Sequence, residues 1–570
     1  MAGPDGRHIL TYNGEIYNFR ELRTELQSAG WDFRSRTDSE VVLAALTLWG
    51  PAALHRFNGM FALGFYNRVE NTLLLARDRY GVKPLYYTTT PRGTFLFGSE
   101  IKALLAHGDC RRGIDLEGLT EYLTFQNFFT DRTLFKDVHM LPSGCTLTLR
   151  CDRMDVPPPA VYWDYSFHEP HTRLEHREAL DTLDQLFQQA VRRQLVSDVE
   201  VGSYLSGGMD SGSITAIAAR ERPFMRTFTC GFDLTSASGV ELNYDERPAA
   251  EQMSYFFKTE HYEMVLKAGD MERVLPRLVR QMEEPRVGQS YPNFYAAQMA
   301  SHFVRVVLSG CGGDELFGGY PWRYYQAVVN DDFENYVDKY YQFWQRLIPQ
   351  NAFHDVLAPI WKDVRHVDTR AIFRDVFKNH AISPSTPEDY LHHSLYFEAK
   401  TFMHGLLVVE DKLSMAHSLE TRVPFLDNDL VDFAMRIPAR MKLGNLSEVI
   451  RLNENEPGLK SARYFQKTND GKLLLRQAMA RYIPPAVIDR EKQGFSAPDA
   501  SWFKGESIDY VRNKIGTPNA RIYDILNFKA VSTLIGDHLE GRQNRRLLIW
   551  ALLYLENWFE QFSSAAEGSN

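Results

Sequence analysis

The stretch "VGSYLSGGMDSGSIT", residues 201–215, decides the fold of the larger part of this chain. A short apolar run ends at Gly207 and Gly208, and Asp210 and Ser211 then open a run of small residues with helical spacing. Glycines allow a backbone to approach a ligand closely, and the N–H groups at a helix N-terminus bind anions. The stretch therefore predicts a strand, an anion-binding turn and a helix.

The composition is that of a folded protein with more than one domain. The chain has 570 residues, of which 44% are hydrophobic and 24% are charged, whereas single cores stop growing near ~250–300 residues. A net charge of −9 is small for this length and argues against nucleic acid as a partner. Five scattered cysteines without a C-x-x-C pair predict a reducing compartment and no zinc site.

Neither a targeting segment nor a membrane span is predicted. The N-terminal run "MAGPDGRHIL" has no apolar signal-peptide core, and the run "LLIWALLYL" near the other end is too short to cross a bilayer. The second run is better explained as part of a buried helix. We therefore expect a cytoplasmic protein without a membrane partner.

Three regions follow from the periodicity along the chain. In residues 1–150, stretches such as "RHILTYNGEIYNF" and "MFALGFYN" predict short strands joined by turns, interrupted by the helix "SEVVLAALTLWG" with Ser39 as its expected N-cap. Residues 151–175 contain three consecutive prolines and are the expected linker. From residue 176 to 560, strands alternate with helices and a helical part follows, which predicts a parallel sheet with helices on both faces. Ligands of such sheets bind beyond the carboxyl ends of the strands.

A second glycine-rich stretch, "VVLSGCGGDELFGGY" at residues 306–320, also follows a predicted strand. Asp210 would repel a phosphate unless Mg²⁺ accompanied it, and Asp314 after the second strand could complete the same metal shell. Packing alone could explain the first set of glycines, and helix capping could explain Asp314 and Glu315. The occurrence of both stretches favours a shared nucleotide site.

Motifs along the chain carry a resemblance to a known family. The hexapeptide "SGGMDS" resembles that of the N-type ATP pyrophosphatases, and "NGEIYNFRELR", "RDRYGVKPLYY", "VEDKLSMAHSLETRVPFLD" and "REKQGFSAP" resemble stretches of the asparagine synthetase family. The resemblance covers nearly the whole chain. It implies an α+β N-terminal glutaminase remnant of the Ntn type, with antiparallel sheets, over residues 1–150. An α/β parallel-sheet ATP-pyrophosphatase domain with a helical C-terminal part is implied for residues 176–560.

The resemblance also implies a reaction, in which ATP adenylates the side-chain carboxylate of aspartate, pyrophosphate leaves, and ammonia converts the acyl-adenylate into asparagine and AMP. ATP and Mg²⁺ are the implied cofactors. The implied small-molecule partners are aspartate or another carboxylic acid, and glutamine or ammonia. A homodimer is one assembly that the resemblance allows.

Individual site residues are implied in the same way. The implied ATP contacts are Leu205, Ser206, Gly207, Gly208, Asp210, Ser211, Cys230, Ser309 and Gly310. Asp210 and Asp314 correspond to ligands of Mg²⁺, and Lys492 corresponds to a lysine that stabilises charge on the α-phosphate. Attack of a carboxylate on a phosphate needs such a cation, but an isolated lysine is usually a solvated surface charge. The assignment of Lys492 therefore depends on the motif.

One position of the second motif departs from the family, which usually has Glu or Asp where this chain has Cys311. A thiol cannot orient a substrate or move protons as a carboxylate does at neutral pH. Either a neighbouring acid such as Glu315 covers the role, or the enzyme amidates or cyclises a different carboxylic acid. A scaffold without activity is a third alternative, against which the intact loop residues argue.

The N-terminal part contains half of a glutamine site. Asn13 and Gly14 resemble an oxyanion hole, and Glu15 and Asp38 resemble residues that bind the α-amino end of glutamine, although Asn-Gly alone is more often a hairpin turn. The family's nucleophile is an N-terminal cysteine whose own α-amine is the base, whereas Met1 begins this sequence. We expect either a start codon placed too late in the gene or a true truncation that uses free ammonia.

Overall fold

The structure is a computed structural model that describes residues 1–4, 6–153, 155–380, 383–446, 470–488, 490 and 496–563. The chain forms two compact units. The first contains Met1–Gly113, Asp131–Tyr165 and Leu426–Asn428, and the second contains Ile114–Thr130, Ser166–Phe425 and Asp429–Asn570.

Antiparallel pairing dominates the first unit, as the family resemblance implies. Its larger sheet has, in spatial order, the strands His8–Ile16, Gly59–Asn67, Thr72–Arg77, Cys145–Arg150 and Ala160–Val161. A three-stranded sheet orders Phe95–Gly98, Tyr86–Thr89 and Val138–Met140. The helices of this unit are Phe19–Ser28, Asp38–Trp49, the 3-10 segment Gly50–Arg56, and Ile101–Leu105.

The helix Asp38–Trp49 begins two residues earlier than an N-cap at Ser39 predicts. Thr37, with extended backbone, is the N-cap and its hydroxyl accepts a hydrogen bond from the N–H of Glu40. The prediction of Ser39 as the cap was therefore wrong, because Ser39 already lies inside the helix and its hydroxyl donates to Asp38. A run of fully buried side chains from Val41 to Leu46 joins this helix to the core under the sheet.

The second unit is built on a five-stranded parallel sheet in the order Glu260–Leu266, Arg226–Phe232, Val201–Tyr204, Val306–Leu308 and Glu420–Arg422. After the central strand Val201–Tyr204, the next two strands in the sequence are added on one side of it, and the last two are added on its other side. The switch between the two sides lies between Val201–Tyr204 and Val306–Leu308, which pair directly. Ligands of open α/β sheets bind at such a switch point, beyond the carboxyl ends of the strands.

In the described part of the second unit, many helices accompany this sheet. Those of seven or more residues are Leu116–Phe125, His176–Gln194, Met209–Glu221, Arg247–Phe257, Ala268–Met282, Tyr291–Ser301, Phe333–Trp344, Thr369–Asp375, Pro387–Glu398, His404–Met415, Asn428–Ala434, Leu473–Met479, Ile508–Ile515, Phe528–Leu539 and Arg546–Phe562. The last contains the run "LLIWALLYL", whose side chains are buried as expected. No helix in the described part of the chain combines the length and apolar character that crossing a bilayer requires. The predicted fold class, antiparallel sheets followed by a parallel-sheet domain with a helical C-terminal part, is confirmed.

Candidate active site

A cavity of about 470 Å³ lies at the switch point of the parallel sheet, entirely within the second unit. Three strands contribute to it, because the loops after Val201–Tyr204 and Val306–Leu308 and the middle of Arg226–Phe232 all line it. Its lining includes every residue that the sequence assigned to ATP: Leu205, Ser206, Gly207, Gly208, Asp210, Ser211, Cys230, Ser309 and Gly310. Cys311 and Asp314 line the same cavity.

Hydroxyl groups of the chain itself fix the conformation of the first loop, residues 205–208. The Ser211 hydroxyl accepts a hydrogen bond from the N–H of Ser206 at 3.0 Å, and the Ser206 hydroxyl accepts one from the N–H of Gly208 at 3.1 Å. The two hydroxyl oxygens lie 2.9 Å apart. Gly208 is then the N-cap of the helix Met209–Glu221, without a side chain that could cover the helix end. Such a turn leaves N–H groups and a helix N-terminus to face an anion.

The second loop packs directly on the first at Gly313. A Cβ atom on Gly313 would lie 2.8 Å from both Cγ and Oδ1 of Asp210, closer than real Cβ contacts allow. Gly310 is nearly as close, since its Cβ would lie 3.0 Å from the N–H nitrogen of Ser211. The glycines of the second motif therefore serve close approach of the two loops.

Lys472 connects the two acids that the sequence singled out. Its Nζ atom lies 2.5 Å from Oδ2 of Asp210 and 2.5 Å from Oδ1 of Asp314. The lysine side chain is 5% exposed, and those of Asp210 and Asp314 are 12% and 9% exposed. Lys472 also adopts a left-handed backbone with φ of 57°, a conformation that costs a non-glycine residue roughly 1–2 kcal/mol. Strained backbone of this kind concentrates at functional sites.

The donor set of this cluster fits a divalent cation that is held partly by a substrate. Mg²⁺ is usually bound through one or two carboxylates together with substrate phosphates, and Asp210 and Asp314 offer two. Within the described ranges, no group of three or more His, Cys, Asp or Glu side chains could hold a metal by itself. The cation between the two carboxylates in this structure is the ammonium of Lys472.

Burial keeps both cysteines of the cavity in the thiol form. It raises the pKa of Cys230 to about 12. The pKa of Cys311 is also raised well above its usual value, first by burial and then by the nearby carboxylates of Glu410, Glu315 and Asp314. Neither thiol therefore acts as a base or nucleophile near neutral pH.

Two further carboxyl groups line the cavity beside Cys311. Burial raises the pKa of Glu315 to about 7, and the carboxylate accepts a hydrogen bond from the Tyr320 hydroxyl at 2.9 Å. Burial likewise raises the pKa of Glu410 to about 7, while a hydrogen bond from Ser309 opposes the shift. Glu315 belongs to the second glycine-rich motif, whereas Glu410 lies about a hundred residues away from that motif and is not predicted by it.

Beyond these acids the cavity ends in a wall of arginine and aromatic side chains. The Arg323 guanidinium lies 3.9 Å from the ring centroid of Tyr320 and 4.3 Å from that of Phe402, and it pairs with Glu398 at 2.9 Å. Arg346 lies 5.9 Å from the Phe402 ring. Arg323 and Arg346 both line this end of the cavity, and guanidinium groups are well suited to binding carboxylates.

Arginine also reaches the phosphate loop. The guanidinium of Arg490 donates a hydrogen bond to the carbonyl oxygen of Gly207 at 3.2 Å and lines the cavity. Lys492, which the sequence assigned to the α-phosphate, lies outside the described residues. Neither Lys472 nor Arg490 is predicted as a site residue from the sequence, because neither belongs to a glycine-rich motif, although Arg490 begins the stretch "REKQGFSAP".

The residues assigned to glutamine lie in the first unit. Asn13 and Gly14 sit in the strand His8–Ile16, where the Asn13 amide donates to the Ser99 hydroxyl at 3.0 Å. A Cβ on Gly14 would lie 2.2 Å from the carbonyl oxygen of Met60, so the neighbouring strand itself requires glycine there. The Asp38 carboxylate accepts hydrogen bonds from the Tyr12 hydroxyl and the Ile16 N–H at 2.8 and 3.1 Å. Glu15 follows Gly14 in the same strand.

Two family models match the chain, one over the antiparallel sheets and the other over the parallel sheet. The model described as asparagine synthase matches residues 182–560, and the one described as glutamine amidotransferase domain matches residues 1–163. The chain belongs to the asparagine synthase family. The cavity with Lys472, Asp210 and Asp314 lies within the asparagine synthase match, and Asn13 to Asp38 lie within the glutamine amidotransferase match.

Curated relatives of this asparagine synthase family member are similar over most of this chain. Asparagine synthetase [glutamine-hydrolyzing] 1 of Bacillus subtilis (strain 168) is 30% identical, over 98% of this chain and 86% of that protein. Asparagine synthetase [glutamine-hydrolyzing] 3 of the same organism is 30% identical over 97% and 87%. Amidase chyE of Penicillium rubens is 25% identical over 92% and 82%. The protein is therefore a carbon–nitrogen ligase of the asparagine synthase type, for which family membership implies ATP as a substrate.

Proposed function

We propose that this protein is an AMP-forming amide synthetase that adenylates the side-chain carboxylate of aspartate and aminates it to asparagine. The observation that carries the proposal is the Lys472 ammonium held 2.5 Å from both Asp210 and Asp314. That cluster lies at the end of a phosphate-binding turn, in a cavity large enough for a nucleotide and a small acid. ATP and Mg²⁺ are the proposed cofactors.

The residues of the cavity would divide the reaction among them. The N–H groups after Leu205 and the helix N-terminus at Met209 would bind the phosphates. Asp210 and Asp314 would hold Mg²⁺, which neutralises pyrophosphate charge when bound. Lys472 and Arg490 would balance charge as the acid attacks the α-phosphate, and Lys492 is proposed for the same task. Buried walls around Cys230 would exclude water from the acyl-adenylate.

Glutamine is proposed to bind to Asn13, Gly14, Glu15 and Asp38, and its amide would supply ammonia in the family reaction. Free ammonia is the second nitrogen donor that we propose. The second carboxylate of aspartate is proposed to face Arg346 and Arg323. This assignment agrees with the presence of both guanidinium groups in the cavity wall, since such groups bind carboxylates.

Product analysis tests the proposal directly. The purified chain is incubated with ATP, Mg²⁺, ammonium chloride and one acid from a panel that includes aspartate. We expect aspartate-dependent release of pyrophosphate with AMP and asparagine in equal amounts. Formation of ADP and phosphate would overturn the proposal. So would a chemical-modification experiment in which bound nucleotide protects none of the residues that line the cavity.

A second candidate function is the amidation or cyclisation of a different carboxylic acid. The observation that favours it is Cys311, a neutral thiol that lines the cavity beside Glu410 and Glu315. A thiol at this position changes both the size and the charge of the wall that would contact the acid. Pyrophosphate release with another acid of the panel but not with aspartate would select this alternative.

A further inference from the structure

One helix lines the cavity with one of its faces, on the side where the substrate acid is proposed to bind. Phe402, Leu406, Val409 and Glu410 line the cavity at helical spacing, the last three in the helix His404–Met415. Three of these side chains are apolar, so Glu410 is the single charged group of this face. Its carboxylate accepts a hydrogen bond from the Ser309 hydroxyl, which begins the loop after Val306–Leu308.

The neighbours of Glu410 place it at the junction between the nucleotide and the acid. Ser309 belongs to the nucleotide loop, and Cys311, whose thiol interacts electrostatically with Glu410, follows two residues later. Tyr204, at the carboxyl end of the central strand, also interacts with Glu410. The carboxylate therefore lies where the loop that contacts ATP meets the wall that would contact the acid.

The other carboxyl group in this region is already engaged. Glu315 accepts a hydrogen bond from the Tyr320 hydroxyl at 2.9 Å and is 2% exposed. It also follows directly after Asp314, which pairs with Lys472. Glu410 is more open to the cavity and lies next to no cation that the structure records.

We propose that Glu410 is the general base that removes the proton from the attacking amine during amide formation. This assignment rests on the proposed function, since it concerns the second half of that reaction. Ammonia adds to the acyl carbon and forms the new C–N bond; its excess proton passes to the Glu410 carboxylate, and the acyl–oxygen bond to AMP breaks with AMP taking the electron pair. The protonated carboxyl group then returns its proton to solvent. Adenylation itself transfers no proton and does not need Glu410.

The electrostatic surroundings suit this task. Burial and the neighbouring Asp411 raise the pKa of Glu410 to about 7, and the Ser309 hydrogen bond lowers it. The titratable groups in electrostatic contact with it are Asp411 on its own helix, Tyr204 on the central strand and Cys311 in the loop. A base works best with a pKa near the working pH. Because the carboxylate is the active form, amide formation should rise with pH through about 7.

The test separates the two halves of the reaction. ATP–pyrophosphate exchange, dependent on an acid, measures adenylation; a chase of the preformed adenylate with ammonia measures amide formation. Exchange and chase are measured for the unsubstituted chain, Glu410→Gln and Glu410→Asp from pH 6 to 9, with the concentration of unprotonated ammonia held constant. Glu506→Gln, an exposed glutamate of the same unit, is the matched control.

We expect Glu410→Gln to keep exchange within about twofold and to lose amide formation by ~10²-fold or more, the size of a general-base effect. Glu410→Asp should retain part of the activity and the rise with pH, which Glu410→Gln should lack. Equal loss of exchange and amide formation in both variants, or normal amide formation in Glu410→Gln, would overturn the assignment. Absence of exchange with every acid in the unsubstituted chain would instead overturn the proposed function.

Discussion

Lys472 places its ammonium 2.5 Å from a carboxylate oxygen of Asp210 and 2.5 Å from one of Asp314, two acids that follow different strands of the parallel sheet. The two loops and the start of the helix Leu473–Met479 thus converge on a single charged cluster. Opposite charges at this distance in a largely buried setting interact much more strongly than at a surface. Each member of the cluster should therefore affect the others.

Replacement of Lys472 by Met should lower the rate of pyrophosphate release by ~10²-fold or more, because a preorganised donor at a transferring phosphate is typically worth that much. Steady-state pyrophosphate release with saturating aspartate and ATP measures the effect. Lys362→Met removes an exposed lysine from the same unit and should leave the rate unchanged. Equal rates for Lys472→Met and the unsubstituted protein would contradict a role in phosphate chemistry.

Asp210→Asn should abolish pyrophosphate release at low Mg²⁺, because the amide keeps the shape of the carboxylate but loses its charge. Excess Mg²⁺ should restore part of the activity if the carboxylate acts as a ligand of the ion. A titration with MgCl₂ at fixed ATP measures this shift, with exposed Asp363→Asn as the control. If Asp210→Asn and the unsubstituted chain required the same Mg²⁺ concentration, Asp210 would not be a ligand of the ion and would only position Lys472.

Gly313→Ala should lower pyrophosphate release by about tenfold or more, because the new methyl group would lie 2.8 Å from the Asp210 carboxyl carbon and displace it. Displacements on this scale are costly where reacting groups must be aligned. Gly269→Ala is a matched control, since its methyl group would meet nothing within 4 Å. The two variants should unfold at similar temperatures and differ in rate, whereas a shared loss of rate would argue against close approach as the cause.

A buried ion pair away from the cluster should control stability. Lys412 lies 2.5 Å from Glu283, with side chains 3% and 0% exposed, and its ammonium also donates to the carbonyl oxygen of Met282 at 3.0 Å. Lys412→Met should lower the free energy of unfolding by about 3–5 kcal/mol, because it leaves a buried carboxylate without this cation. Urea denaturation followed by tryptophan fluorescence measures the loss.

The double variant Lys412→Met with Glu283→Gln should be more stable than Lys412→Met alone, because the second change removes the buried charge. Additive losses in the double variant would show that the charge pair itself contributes little and that packing of the lysine stem dominates.

Much of the site could be predicted from local patterns. The glycines around Asp210 and those around Asp314 each follow an apolar run, so the strand, the turn and the anion-binding character were readable from neighbouring residues. The strand that contains Asn13 and Gly14 could likewise be predicted, because its residues alternate. Ser39 shows the limit of such patterns, because the cap of its helix is Thr37, chosen by a backbone conformation that the apolar spacing does not encode.

Residues that act at a distance could not be found in this way. Lys472 is one of 64 lysines and arginines, and its hydrogen bond to Asp210 joins positions 262 residues apart. Glu410 belongs to a helix whose apolar spacing predicts burial, and nothing in that spacing brings it to Ser309. Such pairs form only when helices pack on the sheet and bury both partners together.

The sequence by itself determined the strands of the first unit, the alternation of strands and helices in the second and the two glycine-rich turns, because turns and periodicity depend on adjacent residues. The tertiary structure decided which cation lies between Asp210 and Asp314 and which carboxylate stands beside Cys311. The physical reason is that charge pairing in a buried cavity depends on the distance between side chains in space, and that distance is set by the packing of the whole unit.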